Sequence, residues 1–340
     1  QGRGQVGVNL MALENSGTID ANSNGNSLTI DVDAQVGSAN TGTFKASNGG
    51  TLVVQSSVIN NAGGILRAET GSEVQLNAST IAGGTFETDG TGLIRGTGAV
   101  TLDGVGLTNA GTYQLKNNTT TTLKGAITNS GAFNVASLGN TTDLLMDGNV
   151  TLDGGGTVTL SGHTNARILG NGGLDDRLIS SSTIQGRGQV GVNLMALENS
   201  GTIDANSSGN SLTIDVDTQA GSANTGTFRA SNGGTLNIQG SAINNAGGNI
   251  TAEANSTVQA TSSSTLTGGN VTVQATGEFQ MASSTVTGGI LTNNVGGTVR
   301  TTSGTSSVGG TFNNSGQTVV NNFTTLELDG TGTFNRVAGD

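Results

Sequence analysis

The chain has 340 residues, 58 of them glycine, with no proline, cysteine or tryptophan, 3% aromatic and 10% charged. Its formal net charge of −11 argues against nucleic acid and against insertion into an anionic membrane, since both select basic faces. Zero cysteine removes disulfides, thiol catalysis and Cys-type zinc sites, and no run approaches the roughly 18 apolar residues of a membrane span.

The composition is not that of a disordered chain either. Disordered segments are enriched in proline and poor in β-branched residues, whereas Val, Ile, Leu and Thr recur regularly here. A proline-free chain of this length is one in which nearly every backbone N–H is wanted as a donor. Gln1 is not a start residue, and no charged-then-apolar signal segment follows it. The expectation is a processed piece of a longer repetitive chain.

Residues 1–22 return letter for letter at 185–206, an offset of 184, and the match runs to Gly64 and Gly248 with about 8 substitutions in 64 positions. A repeat of this kind decides the fold before any local pattern does. Near the start, Val6, Val8 and Leu10 fall at every second position, as on a strand.

From Asn15 onward a shorter beat sets in. The triplet Asn-x-Gly occurs at Asn15–Gly17, Asn40–Gly42, Asn61–Gly63, Asn109–Gly111 and Asn129–Gly131. It recurs at Asn199–Gly201, Asn224–Gly226, Asn245–Gly247 and Asn314–Gly316. Double glycines at Gly83–Gly84, Gly268–Gly269, Gly288–Gly289 and Gly309–Gly310 mark the same beat, and from Gly248 the marks step by 21, 20 and 21 residues.

Between marks lie short alternating runs. Gly64 is followed by Ile65-Leu66-Arg67-Ala68, a Thr-Gly-Ser turn, then Val74-Gln75-Leu76 and Ile81. Gly269 is followed by Val271 and Val273, a Thr-Gly turn, then Phe279, Met281 and Val286. Apolar residues at alternate positions over a few residues mean strands with one buried face, and no window keeps a helical period. Glycine supplies the left-handed backbone that tight corners need, and asparagine tolerates it next best.

Three short strands in such a step cannot bury enough to offset the ordering of their own backbone. Stacking solves this: each strand pairs with the coil above and below, and the inward residues form one apolar core. The pattern therefore predicts an all-β, parallel β-helix over 1–340 as one continuous β-solenoid with no helical domain. A right-handed winding is expected from the usual hand of crossovers. Coils of roughly 20–27 residues give about 15 coils, and a strand spacing of about 4.8 Å gives a rod of roughly 70 Å. The recurring Asn are read as structural corners whose side chains hydrogen-bond along the axis as a ladder.

Candidate chemistry is sparse. Asp31 and Asp33, repeated as Asp215 and Asp217, sit two apart on a strand, and Asp103, Asp153 and Asp329 each follow Leu and precede Gly. A glycosidase pair needs a set separation across a cleft, and an Asp pair present in both copies reads as a repeated structural part. Asp175 and Asp176 after Gly172-Gly173 are the nearest approach to a calcium loop. They lack its spacing, so they are weak metal candidates for adventitious calcium only, and no cofactor is expected. His163 is the single histidine, with no Gly-x-Ser-x-Gly elbow to serve it. No catalytic residue is assigned, and no enzyme is expected.

The stretch Asn40-Thr-Gly-Thr-Phe-Lys-Ala-Ser-Asn-Gly-Gly-Thr-Leu-Val-Val-Gln55 resembles the β-strand repeats of very large bacterial surface exoproteins, the filamentous-haemagglutinin-like and autotransporter-type adhesins. The resemblance covers nearly the whole chain. It implies a secreted, extracellular or cell-surface location and long rods with adhesive or structural surfaces. Expected partners are adjacent copies or further repeats, end to end or lateral, and glycans or proteins of a host or neighbouring cell.

The first functional expectation is thus a non-enzymatic shaft of a bacterial surface adhesin or extracellular filament, with a hydrated Thr/Ser/Asn/Asp surface. The alternative is a carbohydrate-active β-helix, a polysaccharide lyase or tailspike-type glycan hydrolase. The low aromatic content and the single tyrosine, Tyr113, count against it. A third, an ice-binding solenoid with outward Thr ladders, is made doubtful by the uneven steps.

Overall fold

The structure, a computed structural model, describes residues 1–35, 37–173, 175–218, 221–329 and 334–336. Among these there are strands, turns and bends but no helix, and every strand pairing given in register is parallel. The chain divides into two compact units, Gln1–Arg167 and Ile168–Asp340. Both are parallel β-solenoids, with about 15 turns between them.

In the first unit a coil is built from three strands, such as Thr51–Gln55, Val58–Asn60 and Ile65–Ala68. Each alternates buried and exposed residues, because successive side chains leave opposite faces of a strand. Each lies on its counterpart in the next coil, so inward residues form columns. Leu28, Leu52, Val74, Ile94, Tyr113, Phe133 and Val158 make one. Ile59, Ile81, Leu102, Leu123 and Met146 make another. All are buried. Coil length follows from the same registers: 19 residues from Ile94 to Tyr113, 25 from Phe133 to Val158.

The second unit repeats the plan. Leu212, Leu236, Val258, Phe279 and Val299 stack in one column, and Ile243, Leu266, Val286, Val308 and Leu328 in another. A third runs through Ile203, Phe228, Ile250, Val271, Leu291 and Phe312.

The double glycines do not end strands. Ser79–Thr88 and Thr305–Asn314 run through the corner as single strands, with a shift of register at the glycines. Gly83 and Gly84 both have positive φ, 72° and 79°, so the strand turns there without losing its parallel partner.

One core position departs from aliphatic packing. Tyr113 is fully buried beside Phe86 and Phe133, and its Oη lies 2.9 Å from Thr121 Oγ1. Gly96 makes room for it, since a Cβ there would stand 2.6 Å from the hydroxyl.

Candidate functional site

The side chains with the most organised polar geometry are the corner asparagines. In the first unit Asn15 Nδ2 donates to Asn40 Oδ1 at 2.7 Å, and Asn40 Nδ2 donates to Asn61 Oδ1 at 2.7 Å. Asn61 closes the column by donating to the Gly83 carbonyl at 3.1 Å. The second unit repeats this with Asn199, Asn224 and Asn245, again at 2.7 Å and 2.7 Å. Asn40, Asn61, Asn224 and Asn245 are completely buried, where an amide is tolerated only if its hydrogen bonds are made.

These six sit between the second and third strands of a coil, whereas Asn109 and Asn129 follow the third strand and precede the first strand of the next coil. Asn314 shares that second corner and accepts at 2.7 Å from Asn293. The triplet Asn-x-Gly thus serves two corners, which is why its spacing along the chain is uneven. Asn293 lacks the triplet and was not singled out by sequence. Its signal was its distance from Asn314, 21 residues, the step of that part of the chain.

The glycines of the triplets do different jobs. A Cβ on Gly42, Gly131 or Gly226 would stand 2.0–2.1 Å from the carbonyl oxygen of the triplet glycine in the coil before. Gly111, Gly201 and Gly316 are crowded by backbone at 2.3–2.7 Å. Gly63 and Gly247 have open space but positive φ, and Gly17 has open space. Each ladder passes its donor toward later coils. The buried heads Asn109, Asn199 and Asn293 therefore each keep an Oδ1 with no protein donor.

Charges form a second set of links. Asp20, Lys45, Arg67 and Glu87 occupy one register column. Lys45 Nζ is 3.8 Å from Asp20 and 2.8 Å from Glu69, while Arg67 reaches Glu87 at 3.1 Å and Asp89 at 2.7 Å. In the second copy Arg229 replaces Lys45 and pairs Asp204 at 2.5 Å and Glu253 at 3.4 Å. Asp20 and Asp204 are almost fully buried and also accept from the hydroxyls of Ser47 and Ser231. The hydrogen bond to Glu69 holds Lys45 above the usual ammonium range, and that to Asp147 does the same for Lys124.

The remaining candidates do not converge. Asp175 is exposed, whereas Asp176 is buried and accepts from the Gly173 N–H at 2.8 Å. Among the described residues no group of three His, Cys, Asp or Glu is placed to hold a metal ion. His163 lies exposed in a turn, its Nδ1 facing the Asn165 N–H at 3.2 Å. Asp31 meets Gln5, and Asp33 caps the Gln35 N–H. Burial alone raises Asp215 above the usual carboxylate range. A shallow notch of about 230 Å³ lies against Glu14, Asn15, Ser16, Ala39 and Thr41. Its equivalent at Glu198, Asn199, Ser200, Ala223 and Thr225 holds about 130 Å³. Both are below the usual size of a small-molecule site.

Fold and corner together define the class: a parallel β-solenoid with internal amide ladders. No family model and no curated protein matches the chain. Among solved structures it is similar to the TibC-catalyzed hyper-glycosylated TibA55-350 fragment, at 16% identity over 96% of this chain and 93% of that one, with a TM-score of 0.28.

Proposed function

We propose that this chain is a non-enzymatic shaft segment of a bacterial cell-surface adhesin or extracellular filament. The observation that carries this reading is where the specialised polar side chains are used. The buried asparagines, the buried Asp20 and Asp204 and the paired cations all link one coil to the next. Few polar groups are left to converge on a cleft. Such a molecule works by resisting bending and unzipping, and it presents Thr, Ser, Asn and Asp outward at the regular rise of the strands. An extracellular setting suits a chain that needs no cysteine chemistry to hold its coils together. Glycans or proteins of neighbouring cells are its proposed outer partners.

The test has two arms. Single-molecule extension should show stepwise opening in units of one or a few coils, as nearest-neighbour stacking requires. Incubation with acidic polysaccharides should give neither new reducing ends nor unsaturated products. Turnover in the second arm would overturn the reading in favour of a carbohydrate-active enzyme.

A further inference from the structure

The internal repeat supplies a control for one surface. Residues 1–22 and 185–206 are identical, yet their burial differs. Met11 is 46% exposed and Met195 is 1% exposed. Val6, Leu13 and Ile19 are half-exposed, while Val190, Leu197 and Ile203 are at 0%. In the second unit a coil covers these residues. Arg177–Ser180 lies on Ala196–Asn199 with Leu178 opposite Leu197, and Thr183–Gly186 lies on Thr202–Ala205 with Ile184 opposite Ile203. In the first unit Glu14–Asn15 and Thr18–Ala21 each pair on one side only, with Ser38–Asn40 and Thr43–Ala46. An uncovered strand edge is a template for another strand, and here the repeat shows which kind of strand fits it.

The last coil of the second unit has that form. Gln317–Val320, Thr325–Asp329 and Phe334–Arg336 follow one another as first, second and third strand, each paired on one side only. Their columns can be traced back to the repeat. Val320 stands in line with Thr301, Met281, Ala260, Ile238, Ile214 and Val190, the counterpart of Val6. Leu328 stands in line with Val308, Val286, Leu266, Ile243 and Ser222, the column that continues to Leu197, the counterpart of Leu13. Val320 and Leu328 are each 51% exposed. Above Asp20 the edge is already taken by the Gly2 N–H, so an incoming third strand has only Thr18 and Ile19 to cover.

We infer that a second copy of this chain docks here head to tail, its last coil taking over the first coil the place that residues 177–186 take in the repeat. Val320 then lies on Val6, Leu328 on Leu13, and the strand Phe334–Arg336 on Thr18–Ile19. The contact is heterologous and leaves both outer ends open, so it propagates into filaments rather than closing into a dimer.

Sedimentation velocity and negative-stain imaging of the 340-residue chain over a wide concentration range test this. Species at integer multiples of 33.5 kDa, growing in one dimension, are expected. Leu328→Asp spoils one end and Leu13→Asp the other, so each alone should be monomeric. Mixed, they retain one intact junction and should form a dimer and nothing larger. Thr267→Asp, on the exposed face, should associate as the parent does. Circular dichroism checks that each variant is folded, and Val320→Asp replaces Leu13→Asp or Leu328→Asp if either is not. A parent chain that stays monomeric, or variants that still assemble, or side-by-side rather than end-to-end particles, would each overturn the inference.

Discussion

Replacing Asn224 by alanine probes the ladder at its middle rung. Asn224 accepts from Asn199 Nδ2 and donates to Asn245 Oδ1, both at 2.7 Å, and it is completely buried. The alanine removes two hydrogen bonds, each contributing about 1 kcal/mol net, and leaves the buried Asn245 Oδ1 without a donor at a cost of about 1–3 kcal/mol. A loss of about 3–4 kcal/mol follows, confined to the coils on either side because stability in a solenoid is passed between neighbours. At the outer end, Asn15→Ala removes one such bond from a half-exposed residue and should cost about 1 kcal/mol. Native-state hydrogen exchange on the strands Thr227–Ala230 and Asn249–Ala252 reads the local loss directly. Urea unfolding of the whole chain reads it only if the second unit melts as one step. Equal costs at Asn15 and Asn224, or a cost below about 0.5 kcal/mol at Asn224, typical of an unremarkable surface site, would refute the ladder as a source of stability.

Three further outcomes follow from the geometry. Gly42→Ala drives a Cβ to 2.0 Å from the Gly17 carbonyl and should cost at least about 1–3 kcal/mol in chemical unfolding. Gly17→Ala meets nothing within 4 Å and should change stability by less than about 0.5 kcal/mol. Gly96→Ala should be harmful with Tyr113 in place and better tolerated in a Tyr113→Phe background, because the clashing atom is the tyrosine hydroxyl. A double-mutant cycle should give a coupling on the order of 1 kcal/mol, and additive effects would reject that contact. Asp215 is raised by burial, so it favours the fold below the ordinary aspartate range and loses that contribution as pH rises through its folded value. Lys45, raised first by its hydrogen bond to Glu69, contributes below the ordinary lysine range and loses that contribution as pH climbs through its own raised value. Melting temperature against pH should therefore lose part of its acid-side slope in Asp215→Asn and part of its alkaline-side slope in Lys45→Met.

The coil could be read from the sequence because its causes are local and periodic. The alternation in Thr51–Gln55 and Glu73–Asn77 fixes one buried face per strand, and the 184-residue repeat rules out separate globular domains of unrelated plan. The amide ladder was legible too, since asparagine before glycine at recurring corners has few other uses. Two things were hidden. The corner that an Asn occupies depends on how many residues each strand spends, which is why Asn109 and Asn40 look alike in sequence and sit at different bends. The ion pairs were hidden because they join residues one coil apart: Lys45 meets Asp20, 25 positions earlier, and Glu69, 24 positions later. With coil lengths varying between 19 and 25 residues, no fixed spacing would have singled them out.

The ladders are interrupted, and the interruptions have a mechanical meaning. After Asn61 the amide column hands over to the Gly83 carbonyl, and after Asn245 to that of Gly268. In between, coils hold to each other by strand pairing and apolar contact alone at that bend. Under tension along the axis, amides that polarise one another in a run resist together, so rupture should begin where the run stops. The glycine-turned coils beyond Gly83 and Gly268 would then act as fuses, parting first and sparing the stretches whose side chains interlock.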